Sequence, residues 1–475
     1  MSTPSRQPLN AGVRCFVGFG ACVGLVTLGA SGLSAQPPAK GAQGDLPKIV
    51  FNPKRPIPEP PGDVRNIESL TKPPPGYTSS KRNNFYKKEG GKQVPGTDLY
   101  RWANSGHWTN YDLAEIGVYK LPDPLLMGNG SPVNDAETWL KQRRPEIVKI
   151  VETEFYGTVP ANAPKVVWKV TSNTNDGTVI RKTIVGTLVG ADGSPAPAGG
   201  GKGGKGGGGG NTITITLVLP AGAGKVPVFF GGLSQQECLS MGWGYGSISS
   251  PTGTLINMTS PPKGQPKPGD FWGNYRIVAW CFSRAIDYLE TDPDVDARYI
   301  CISGHSTGGK QVLCTAALEP RIFMVVPTSS GRMGAAIIRR DFGESLDDQA
   351  QLYAQNYCAN VKKWVGRWND MPFDSHYFIA LVAPRLCYIT GGTQELWVDA
   401  KGQFEACVAA DPVYKLLGKT GLGTKEMPKA DVAVVNGELG FYMHTGGHTF
   451  TAAEHKSVME WGAKYMPSKK KASGK

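Results

Sequence analysis

Between residues 226 and 390 one pattern recurs: a short apolar run, a turn, then a stretch that fits a helix. The apolar runs fall at residues 226–230, 299–303, 323–326 and 386–390. A helix over residues 275–289 would present Ile277, Trp280, Ala285, Tyr288 and Leu289. Strands that are apolar throughout are buried on both faces, and strands separated by helices pair in parallel. The expected architecture is therefore α/β, a three-layer sandwich with a mostly parallel central sheet and helices on both faces. Upstream, residues 179–189 and 212–219 alternate as an antiparallel strand pair does, the second as Thr212, Ile213, Thr214, Ile215, Thr216, Leu217. Between them, a Gly/Lys tract at 198–210 has nothing to pack and reads as a disordered insertion in the hairpin. A helix over residues 136–156 is expected, capped near Asn134 or Asp135 and stopped at Gly157.

The run at 299–303 leads into Gly304-His305-Ser306-Thr307-Gly308 and then into helix-compatible residues 311–318. A serine between small neighbours, on a sharp turn from strand to helix, is lifted clear of the sheet as a nucleophile; this is the elbow of the α/β-hydrolase fold. Gly304 and Gly308 would give that turn its room. A serine hydroxyl needs an imidazole to take its proton, and in this fold the chain order is serine, acid, histidine. Of six histidines, His444, His448 and His455 come late enough. His455 falls in a terminal helix and reads as a solvated face. His444 and His448 flank a Thr-Gly-Gly loop, and the two glycines directly before His448 favour it. The acid should follow a strand, which points to Glu395 in the loop after residues 386–390, with Asp399 as the rival and a helix cap as the simpler role for Asp399.

The N-terminus runs from basic residues through an apolar centre to Ser34-Ala35, the order of a signal peptide over 1–35, so a secreted or periplasmic protein without a stable membrane segment is expected. Residues 36–100 read as a Pro/Gly-rich linker and wrapping segment, 101–467 as the catalytic domain and 468–475 as a basic tail. The formal charge of +12 sits partly in that tail and in the glycine tract, and no motif interleaves basic and aromatic residues, which argues against a nucleic-acid partner. No cysteine spacing suggests a zinc site, and no metal or cofactor is expected.

A set of co-ordered segments adds to the elbow: Leu121-Pro122-Asp123-Pro124-Leu125, Arg143-Arg144-Pro145-Glu146, Arg284-Ala285-Ile286-Asp287-Tyr288-Leu289, Gly309-Lys310, Arg339-Arg340, Pro372-Phe373-Asp374, Ala383-Pro384-Arg385, Leu396-Trp397 and Gly447-His448. With these the chain resembles the glucuronoyl esterases, carbohydrate esterases that cleave the ester between 4-O-methylglucuronate on xylan and lignin alcohols. The resemblance implies Ser306 as nucleophile, His448 as base, Glu395 as acid, the Thr307 amide at the oxyanion, and Lys310, Glu344 and Trp397 as contacts to the uronate. It implies a monomer that acts without a cofactor on glucuronoxylan or lignin-carbohydrate esters. The sequence departs from the family at Thr307 and His444, where an arginine is usual, at Ser329, where some members carry a second acid, and at Thr449, where an aspartate is usual. Arg332 or Arg339, from a neighbouring loop, could supply the missing guanidinium. Two other readings remain: a carbohydrate esterase with another acyl group, such as an acetyl xylan esterase, and a carbohydrate-binding homologue with weakened catalysis.

Overall fold

The computed structural model describes residues 116–466 except 191–192, 195–209, 347–348, 351–352 and 366, together with five short strands between Tyr77 and Thr109. The expected signal peptide and basic tail, and nearly all of the Gly/Lys tract, lie outside the described residues. The segment read as an irregular linker carries strands Tyr77–Ser79, Phe85–Glu89 and Lys92–Gln93, paired antiparallel. They are too short for a period to show.

Nine strands form the central sheet: β1 Lys165–Asn175, β2 Val179–Val189, β3 Thr212–Pro220, β4 Val226–Phe230, β5 Gly244–Ser249, β6 Val295–His305, β7 Ile322–Thr328, β8 Leu386–Gly392 and β9 Leu439–His444. Their order is β9-β8-β7-β6-β4-β5-β3-β2-β1. From β9 to β5 every pairing is parallel; β3, β2 and β1 continue the sheet antiparallel. β2 and β3 pair from Val179 opposite Pro220 to Thr187 opposite Thr212, so the Gly/Lys tract connects two adjacent strands.

Helices cover both faces: α1 over residues 136–156, where α-turns alternate with π-turns, α2 Gln235–Ser240, α3 Thr252–Thr259, α4 Asn274–Leu289, α5 Thr307–Leu318, α6 His376–Val382, α7 Ala400–Leu416 and α8 Ala452–Ala463. Alternate strand residues enter separate cores. Ile300, Ile302, Val325 and Ile389 pack with α4, α5, α6 and α7, while Cys301, Met324, Tyr388 and Tyr442 pack with Cys238 of α2 and Val458 and Trp461 of α8. That alternation is the period-2 signature of a strand buried on two faces. All seven described cysteines are free and buried, six of them in these layers, and burial pushes thiols such as Cys301 and Cys314 up, away from the reactive thiolate.

Three strands are not anticipated from the sequence: β1, which is largely exposed at the sheet's edge, and the glycine-containing β5 and β9. β5 begins Gly-Tyr-Gly because it lies against bulky neighbours: a Cβ on Gly246 would sit 2.5 Å from the Phe230 ring. β9 carries Gly440 for the same reason, with Tyr388 2.5 Å from where a Cβ would be.

The chain passes from β4 to β5 on one side and returns to β6 on the other, so the sheet order reverses beside β4. The carboxyl ends of strands at such a switch point form the crevice where open α/β sheets bind ligands. Along that edge His305 is in register with Thr328, Thr328 with Thr390, and Gly392 with His444. The loops that leave these residues build the site.

Candidate active site

Ser306 joins β6 directly to α5 at φ 59° and ψ −121°, a conformation that costs a non-glycine residue about 1–3 kcal/mol. The surroundings hold it there. Its amide donates to the Thr328 carbonyl at 2.9 Å, and its carbonyl accepts from the Lys310 amide at 3.2 Å. The glycines that this turn needs are Gly304 and Gly309. A Cβ on Gly304 would meet the Gly308 carbonyl at 2.3 Å, and one on Gly309 the Thr328 carbonyl at 2.8 Å. Gly308 faces open space, so the room expected of it comes from Gly309 instead.

The imidazole of His448 packs on His305, ring centroids 4.3 Å apart, which brings it beside the residue that precedes Ser306. Its Nδ1 lies 3.0 Å from Glu395 Oε1. A carboxylate only accepts, so Nδ1 donates to it, and in the neutral ring Nε2 carries the free lone pair. Glu395 follows β8 and is nearly buried. Burial alone would raise its pKa, but the His448 bond, the nearby Ser329 hydroxyl and the Gly392 amide at 3.1 Å more than offset this and hold it below the usual carboxylate range. The structure thus brings Ser306, His448 and Glu395 to one stretch of the sheet edge.

His305 is held neutral. Thr328 Oγ1 donates to the Gly304 carbonyl at 3.1 Å, so it accepts from His305 Nδ1 at 3.0 Å. Burial first, then the neighbouring His448, push His305 down to about 4. It cannot compete for a proton at neutral pH.

The rival candidates have other partners. His444 is buried with both ring nitrogens bonded. His455 is no free helix face, since Nδ1 pairs with Glu237 Oε1 at 2.9 Å and the ring packs against Phe450. Asp399 caps α7, accepting from the Gly402 amide at 3.1 Å and pairing with Arg340. Arg332 and Arg339 do not supply the guanidinium that Thr307 lacks. Arg332 is fully buried on the Ile338 carbonyl with Asp341 beyond it, and Arg339 is bound to Asp374 and the Phe373 carbonyl. Thr307 itself is exposed at the amino end of α5.

Lys310, one turn along α5 from Ser306, pairs with Glu344 at 2.7 Å and also bonds the Ser330 carbonyl. Gln349 bonds the other Glu344 oxygen and in turn accepts from Tyr357 at 3.0 Å. The Glu344 amide donates to the Trp397 carbonyl at 2.8 Å, so Lys310, Glu344 and Trp397 lie together. The two charges are almost fully buried, which was not readable from the chain. Gly331 permits it: at φ 65°, its Cβ would meet Glu344 Oε2 at 2.6 Å. Around the triad, Ser329 lies beside Glu395 and Glu454 pairs with His444. The only trace of Glu454 in the sequence is the capping-box spacing from Thr451.

A family model described as "Glucuronyl esterase, fungi" matches residues 264–418. A carbohydrate esterase of an unknown prokaryotic organism is 28% identical over 438 residues, covering 78% of this chain and 95% of that protein. The 4-O-methyl-glucuronoyl methylesterase of Schizophyllum commune is 26% identical over 308 residues, 63% of this chain and 74% of the relative. Among solved structures, a glucuronoyl esterase from Solibacter usitatus superposes with a TM-score of 0.64 at 30% identity, covering 73% of this chain and 98% of that one.

Proposed function

The chain belongs to the glucuronoyl esterase family, serine carboxylic ester hydrolases of the α/β-hydrolase fold, and on that premise we propose that it hydrolyses esters of 4-O-methylglucuronate with Ser306, His448 and Glu395 as its triad. The observation that carries the assignment is the 3.0 Å bond from His448 Nδ1 to Glu395, made next to the Ser306 elbow. In this reading Ser306 Oγ attacks the uronate C6 carbonyl carbon while its proton passes to His448 Nε2. The tetrahedral intermediate carries its negative oxygen toward the Thr307 amide at the amino end of α5, where the helix dipole favours negative charge. Collapse expels the alcohol, protonated by His448, and leaves an acyl-enzyme; water, deprotonated by the same imidazole, then releases the uronic acid.

Lys310, Glu344 and Trp397 are the proposed contacts for the sugar ring. The Lys310–Glu344 pair presents a fixed dipole instead of two free charges, which suits recognition of hydroxyls. Substituting Lys310 by Met is expected to lower kcat/KM on a methylglucuronate ester at least about tenfold more than on a small acetyl ester. Equal losses on both esters would make Lys310 a support of the fold and favour another acyl group.

Thr307 is expected to make the enzyme slow. A guanidinium at the oxyanion acts mainly when charge develops, so its absence falls on kcat more than on KM. With Thr307 exposed and both nearby arginines bound elsewhere, Thr307→Arg should raise kcat about tenfold or more and leave KM within about threefold. A folded variant with no gain in kcat would remove the missing donor from the account.

Residues 101–467 are proposed as the catalytic domain. Secretion is proposed from the signal-like residues 1–35, and glucuronoxylan or lignin-carbohydrate esters are the proposed substrates. Among the described residues no helix is long and apolar enough to cross a membrane.

A further inference from the structure

His444 ends β9, and the loop that carries His448 folds back over it. Its ring is 2% exposed, with Nδ1 3.0 Å from Glu454 Oε1 and Nε2 2.9 Å from the Gly447 carbonyl oxygen. A carboxylate and a peptide carbonyl both accept and neither donates. Each ring nitrogen must therefore carry a proton, and the side chain is an imidazolium. Its counter-ion is fixed in turn: Glu454 is fully buried, and its second oxygen accepts from the Thr451 amide and hydroxyl at 2.6 and 2.8 Å. The neighbouring strand leaves the ring little freedom, since a Cβ on Gly392 would sit 2.7 Å from Nε2.

The Gly447 carbonyl lies one peptide before His448. Other bonds secure the start of the same loop: Gly446 donates to Thr393 Oγ1 at 3.1 Å and accepts from the Gln394 amide at 2.8 Å, and Thr445 is held by Asp431. At the Gly447 carbonyl the described partners are His444 and both the amide and the hydroxyl of Thr449, the latter residue within the loop itself. His444 is thus the tie between the strand and the peptide next to His448.

We propose that His444 is a positioning residue for ester hydrolysis, a buried imidazolium whose bond to the Gly447 carbonyl keeps His448 aligned between Ser306 and Glu395. The proposal rests on the reading of His448 as the base. It also gives the arginine-for-histidine difference a physical content: histidine supplies the cation, but one that can be lost.

The charged and titratable groups around the ring are Glu454 from α8, Glu395 from the loop after β8, His305 from β6, Asp431 from the segment before β9, and His448 from its own loop. Burial alone would lower the His444 pKa; the Glu454 and Gly447 bonds outweigh it and leave the pKa above that of a free histidine. The clamp is therefore complete in acid solution and opens as pH rises through that raised value. The same shift makes His444 stabilise the fold fully below the unfolded histidine pKa of about 6.5, with the contribution lost as pH rises through the folded value. His448 must be neutral to act, so the triad itself produces only an acid limb. An alkaline fall in kcat belongs to His444.

Steady-state kinetics on a methylglucuronate ester from acid to alkaline pH test this, with folding checked by circular dichroism. Wild-type protein should lose kcat on the alkaline side. Glu454→Gln, which retains a capping residue but not the charge, should move that limb to lower pH. His444→Leu should lower kcat about tenfold or more with KM within about threefold and show no alkaline limb. His444→Arg, a permanent cation, should lose the limb yet keep more of kcat than leucine does. A folded His444→Leu with wild-type kcat overturns the proposal. Should that variant not fold, superimposable alkaline profiles for wild type and Glu454→Gln overturn it. His448→Ala, measured alongside, separates the two claims. If it retains turnover, the base assignment falls and this proposal with it; if it alone is inactive, only the positioning role falls.

Discussion

Replacing Ser306 by alanine is expected to lower kcat on a methylglucuronate ester by about 10⁶-fold while the protein stays folded. The fold should survive because alanine keeps the Cβ and the same backbone demand at φ 59°, and because the turn is held by backbone bonds to Thr328 and Lys310 and by the close approach at Gly304 and Gly309. Only the nucleophilic oxygen is lost. KM should change little, since the proposed sugar contacts at Lys310, Glu344 and Trp397 are untouched. Circular dichroism and steady-state kinetics on one preparation check both halves of the expectation. Substantial turnover in the folded variant would place the nucleophile elsewhere.

His448→Ala is expected to cost about as much as the loss of Ser306, and the double variant little more than either, because serine and base act as one unit. Glu395→Gln should cost about 10⁴-fold, less than the base itself. The acid is never required to take the proton. It holds His448 with Nδ1 protonated and stabilises the imidazolium that forms. A glutamine can donate its amide to Nδ1 and favour the wrong tautomer, which accounts for the size of the expected loss. The lowered pKa of Glu395 adds a pH dependence. Its carboxylate stabilises the fold fully above the unfolded glutamate value, and the contribution is lost as pH falls through the lower folded value. Additive effects of Ser306→Ala and His448→Ala in the double variant would contradict a shared step.

The parts of this arrangement that were legible in the sequence have local signals. The apolar runs of β4, β6, β7 and β8 are continuous because both faces of each strand are covered, and the elbow is written in consecutive residues. Glycine hid β5 and β9. Their small residues answer to Phe230 and Tyr388, which are distant in sequence, so strand propensity misread them. The start of α7 was legible through Asp399, which reads as a helix cap and is one, whereas Pro412 inside the helix obscured its length.

The environment of the candidate site was less readable than its residues. The segments that carry Ser306, Glu395 and His448 could be ordered along the chain, but the contacts that differentiate the histidines are tertiary. His444 and His448 are four residues apart in one loop region; one meets Glu454 and the Gly447 carbonyl, the other Glu395. Nor does spacing reveal that Lys310 and Glu344 neutralise each other, because their approach depends on Gly331 at φ 65°.

The most direct measurement of the central claim is kcat/KM of the wild-type protein on methyl 4-O-methylglucuronate beside a small acetyl ester of comparable leaving group. The triad alone would hydrolyse either. The buried Lys310–Glu344 pair and Trp397, set one helical turn from the nucleophile, predict a preference for the uronate ester of at least about 10²-fold, the discrimination that a site with matched polar partners reaches. Turnover of the acetyl ester equal to or faster than that of the uronate ester would contradict the account.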